Sequence, residues 1–186
     1  MHRRFIGRGL ISAIAVAASA CSVEQPASSQ QIAAIEVSLR TPADRADLLA
    51  MLHRHARAGG LHVDDVSERW RRLDTSDHPP AARDVLTKTI YVGLWRGVED
   101  DDMEVMVDDG GHQGRPWLTF RRGKHPELAS RVRVGLLADI KRRWPDARDV
   151  PVMPNGALPL ANDLVWTGGG YAVKAERVAG YARRGD

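Results

Sequence analysis

The chain has 186 residues, 43% hydrophobic and 27% charged, which suits one globular domain with a single core and excludes a disordered or fibrous chain. Its formal charge of +3 comes from Arg3, Arg4 and Arg8; beyond them 24 basic residues face 24 acidic ones, and a neutral domain has no general pull toward nucleic acid or anionic lipid. Cys21 is the only cysteine, which excludes intramolecular disulfides and zinc sites built from paired thiolates.

The three arginines open the chain, and an uncharged run over 9–23 follows them, apolar at first and then small. That is the layout of a secretory signal, and 15 residues fall short of the roughly 20 apolar residues of a membrane-spanning helix. The Arg3-Arg4 pair invites a twin-arginine export reading, which Gly7 weakens by standing where a second apolar residue is expected after Ile6. Ala18-Ser19-Ala20-Cys21 resembles the lipobox of bacterial lipoproteins, although Ala18 stands where leucine is usual. The resemblance covers residues 1–21 and implies that 1–20 are removed, that Cys21 is acylated, and that the acyl chains hold the protein in the membrane. With Ser22 rather than aspartate after the cysteine, it also implies the outer membrane, with the domain facing the periplasm. Ala18-Ser19-Ala20 equally fits an A-x-A cleavage site, which leaves a soluble periplasmic protein as the alternative. Residues 21–31, rich in Ser, Gln and Pro, read as a flexible tether.

One α+β domain is expected over 32–173. Ile35, Val37 and Leu39 alternate with polar residues, the period of a half-buried strand. Thr41 and Pro42 then open a helix whose apolar face is Leu48, Leu49, Leu52 and Ala56 and whose end is Gly59-Gly60. Val66, Trp70 and Leu73 predict a second helix over 63–73. Three alternating segments, 89–95, 103–108 and 117–122, predict an antiparallel meander, with Met103, Val105 and Val107 sharing a face in the second. Leu128, Val132, Leu136, Ile140 and Trp144 recur at every fourth position, so 126–144 should be the helix that covers one sheet face before Pro145 stops it. A hairpin around Gly168-Gly169-Gly170 and a loosely ordered tail over 174–186 complete the chain. The expected fold class is α+β: an antiparallel meander with helices packed on one face, in the order β-α-α-β-β-β-α plus a C-terminal β-hairpin.

No segment carries a nucleophile motif, a phosphate loop or a zinc ligand pattern, so no catalytic residue, metal or cofactor is assigned. His53 and His55, two apart on a helix, point to different faces and cannot share a metal. His112 and His125, with Asp108 or Asp109, form a weak candidate cluster lacking the usual ligand spacing. The acidic run 99–104 has Val105 where a calcium loop needs glycine, and reads as a solvated loop guarding a sheet edge. Between Arg115 and Arg148 ten basic residues face three acidic ones, giving a basic side that can steer a charged partner. Trp95 and Trp117 lie on the strand face opposite the aliphatic one, where a binding platform would be, and Arg115 and Arg121 flank it. The reading is a non-enzymatic periplasmic module that binds a protein partner and no nucleic acid. In size, anchoring and lack of motifs it is similar to inhibitor or immunity lipoproteins acting against envelope-targeting toxins. The alternatives are a periplasmic hydrolase with a dispersed Asp/Glu/His site, and a structural component of outer-membrane or secretion assembly.

Overall fold

A computed structural model of the chain describes residues 27–67, 90–109 and 114–182. The leader, Cys21, Trp70, His112 and 183–186 lie outside the described residues. Six strands, β1 (Gln31–Glu36), β2 (His62–Asp65), β3 (Tyr91–Trp95), β4 (Met103–Asp108), β5 (Trp117–Arg121) and β6 (Arg148–Val150), form one sheet in the order β2-β3-β4-β5-β1-β6. Every neighbouring pair is antiparallel. Helices α1 (Pro42–Gly59) and α2 (Pro126–Arg143) cover one face; the strand pair β7 (Leu164–Trp166) and β8 (Tyr171–Val173) and helix α3 (Ala175–Ala182) follow. This is an α+β fold.

Helix α1 starts where the sequence says it should. The Thr41 hydroxyl accepts from the Asp44 N–H and the Asp44 carboxylate accepts from the Thr41 N–H, a reciprocal cap that satisfies two orphan donors, with Pro42 preset at the first helical position. It ends at Gly60, whose φ of 68° is the left-handed conformation that closes a helix at little cost only for glycine. Its buried face of Leu48, Met51, Leu52 and Ala56 meets Val132, Leu136 and Ile140 of α2 and the sheet residues Ile35, Val92, Leu94, Val107, Leu118 and Phe120. Trp144, buried at the end of α2, completes the layer.

Three expectations are corrected. Strand β2, residues 62–65, takes the start of the helix expected over 63–73: Val63 pairs with Leu94 at the sheet edge, and exposed His62, Asp64 and Asp65 keep that edge from templating another chain. The rest of that helix, from residue 68, lies outside the described residues. In β4 the register slips, with Leu94 opposite Val105 but Trp95 opposite Met103, so Glu104 is the extra residue of a bulge and Met103 joins the face away from the helices. Where a loose tail was expected, residues 175–182 form α3. It is tied down by the buried Tyr181, whose hydroxyl donates to Asp163 at 2.5 Å and accepts from the Leu160 N–H at 2.8 Å.

Candidate functional site

Cross-strand register assigns the face away from α1 and α2. One row runs Tyr91, Asp108, Trp117, Glu36 and Arg148 across β3, β4, β5, β1 and β6; the next runs Gly93, Met106, Thr119, Ala34 and Val150. Antiparallel partners share a side of the sheet, so each row is a line of neighbouring side chains.

At the β1 and β6 end, the β7–β8 hairpin reaches over the first row. Glu36, 6% exposed, takes three donors: Arg115 Nη2 at 2.5 Å, Trp117 Nε1 at 3.2 Å and the Tyr171 hydroxyl at 3.0 Å. Buried carboxylates persist when their oxygens are this fully engaged. Arg148 Nη1 stands 3.3 Å from the same Tyr171 oxygen, which accepts from it while donating to Glu36. The Arg148 guanidinium also lies over Trp166, its carbon 4.4 Å from the ring centroid, and Trp166 meets Tyr171 edge to face at 5.5 Å. Trp166 nonetheless keeps 46% of its surface exposed. An aromatic and guanidinium cluster, with Trp166 its exposed member, therefore packs over a buried anion.

Two of the four sequence-derived binding residues, Arg115 and Trp117, meet here. The other two do not. Trp95 is level with Met103 rather than with Tyr91, four residues along β3 and so about 13 Å from the Trp117 row. Its ring lies across Gly93, where an added Cβ would come 2.2 Å from the indole nitrogen, and that nitrogen is buried with no hydrogen-bond partner among the described residues. Trp95 thus roofs its own strand. Arg121 Nη1 donates to the Asp100 carbonyl at 3.0 Å, joining β5 to the acidic turn. Trp95 and Trp117 therefore stand apart on the face, and the cluster around Glu36 lies at one end of it. Glu36, Arg148, Trp166 and Tyr171 were missed; their one sequence signal was a strand carboxylate out of phase with Ile35 and Val37, and paired aromatics flanking a glycine turn.

The basic side expected for steering is neutralised in part. Arg143 meets Asp44 and Asp47, Lys141 meets Asp149, and Arg142 meets Asp139. The acidic run is not freely solvated either: Lys124 Nζ sits 2.7 Å from Glu99, 2.8 Å from Asp101 and 3.0 Å from Asp102. Among the described residues these three carboxylates form the only group with metal-ligand spacing, and the lysine ammonium occupies the cation's place. Hydrogen bonds from the Glu99 N–H and then Lys124 hold the Asp102 carboxyl below its ordinary range.

His53 is exposed, whereas His55 is half-buried with Nε2 2.9 Å from Asp139 Oδ2. The hydrogen bonds of His55 and then Arg54, with the charge of Arg142 nearby, bring the Asp139 carboxyl down to about 2. The adjoining groove between α1 and α2 is lined by His55, Ala58, Gly59, Leu128, Arg131 and Val132, with no serine, threonine or cysteine, so this pair has no nucleophile to activate there. His125 is exposed just before α2, and the cluster proposed for it needs His112, outside the described residues. Among the described residues no helix is long and apolar enough to cross a membrane. No family model, no curated protein and no solved structure matches the chain.

Proposed function

We propose that the chain is an exported lipoprotein, tethered through Cys21 to the outer membrane and facing the periplasm, that binds another protein through the sheet face at Trp166 and Arg148. The role we assign is that of a non-enzymatic inhibitor or immunity protein against an envelope-targeting toxin. The observation that carries the binding reading is an exposed Trp166 held between Arg148 and Tyr171 above the buried Glu36. Tryptophan, tyrosine and arginine dominate binding energy at protein interfaces, and a cluster already ordered in the free chain loses little entropy on association.

The test is capture from a native envelope extract. Wild-type protein should retain a partner that Trp166→Ala loses, with the melting transition of the variant nearly unchanged because the residue is half exposed. Equal capture by both proteins refutes the binding reading. Mass spectrometry of the same preparation checks the tether, since an unmodified Cys21 thiol is incompatible with acylation.

A further inference from the structure

The charge of the Glu36 cluster does not close. Lys124 meets three carboxylates, Arg143 two and Arg96 one, whereas Arg54 and Arg142 both depend on Asp139. Two guanidiniums also gather around Glu36, and only one of them reaches its carboxylate. Arg115 takes it at 2.5 Å, while Arg148 is held by an aromatic face and a phenol oxygen and pairs with no described carboxylate. An aromatic ring attracts a cation through its quadrupole and cancels none of its charge. One positive charge is left beside the exposed part of Trp166.

We infer that Arg148 receives an aspartate or glutamate side chain of the bound protein, presented next to an apolar residue that lies against Trp166. This rests on the protein-binding reading above and adds the chemistry of the partner. A carboxylate supplies the single negative charge that the cluster lacks, and a guanidinium braced flat on a ring offers it a preset fork of donors. A phosphate dianion suits the place less well, because its second charge would face the buried Glu36 through a poorly screening medium.

The experiment is calorimetric titration of the mature chain with a blocked peptide of alternating glutamate and leucine, beside its lysine–leucine counterpart. The acidic peptide should bind and the basic one should not. Arg148→Gln should weaken the acidic peptide by about tenfold or more, the loss of a charged hydrogen bond, while Arg133→Gln on α2 leaves it unchanged. Far-UV circular dichroism confirms that both variants are folded. An acidic peptide that does not bind wild type, or binds Arg148→Gln equally well, overturns the inference; so does its displacement by inorganic phosphate. Envelope capture separates this failure from that of the wider reading: a partner lost by Trp166→Ala but kept by Arg148→Gln refutes the carboxylate alone.

Discussion

Arg96 and Glu104 allow the clearest test of what holds the sheet to its helices. The bulge in β4 turns Glu104 inward, where it is 2% exposed, and Arg96 meets it with two donors, Nε at 2.5 Å and Nη2 at 3.1 Å. The third guanidinium nitrogen donates to the Gly59 carbonyl at 3.0 Å, so one side chain joins the end of α1 to the β3–β4 connection. Arg96→Ala would leave Glu104 buried and unpaired, which typically costs about 3 to 5 kcal/mol. With a urea dependence of about 2 kcal/mol per molar, the unfolding midpoint should fall by roughly 1.5 to 2.5 M. Arg96→Met combined with Glu104→Leu removes both charges together and should recover a large part of that loss, since apolar replacement of a buried pair is often close to neutral. A loss below about 1 kcal/mol for Arg96→Ala would place the pair with ordinary surface bridges and refute the reasoning. A double variant no more stable than Arg96→Ala would refute it as well.

Two further outcomes follow from single contacts. Gly93→Ala places a methyl group where the Trp95 indole lies, so the ring must leave; tryptophan emission should shift to the red and stability fall by about 1 to 3 kcal/mol, and the spectral shift should vanish in a Trp95→Phe background. Unchanged emission would mean that the ring does not lie across Gly93. The Asp139 carboxyl is lowered from 3.8 to about 2 in the folded chain, so its contribution to stability is complete above pH 4 and is lost as pH falls toward 2. Urea unfolding of wild type and Asp139→Asn should therefore differ at pH 6 and converge toward pH 2; a gap independent of pH would contradict this.

Most of the framework was legible because its signals are local. Thr41, Pro42 and Gly60 bound α1 through caps that involve residues within four positions of one another. The four-residue recurrence from Val132 through Leu136 and Ile140 to Trp144 needs only the period of a helix to be read as a buried stripe. The strands of the meander show themselves in the same way, through alternation in β3 and β5. Where that failed, a partner strand decided the outcome. Glu104 enters the interior because the register with β3 skips a residue, and 62–65 extend because β3 offers an open edge beside them.

The site divides on the same line. Period alone placed Trp95 and Trp117 on the outward face, and it placed Glu36 opposite Ile35 and Val37. Whether two residues on one face are neighbours depends on register, and register is a property of two chain segments, which is why Trp95 and Trp117 stand at different levels. Tyr171 and Glu36 meet across 135 residues of chain, and Arg115 and Glu36 across 79. Charge pairing of that kind has no trace in local periodicity, because any of many arginines could have reached any of many carboxylates. The amino acid order therefore determined most of the elements and the face that the helices cover. Tertiary packing decided which charges cancel and left Arg148 braced on Trp166 with no described carboxylate beside it.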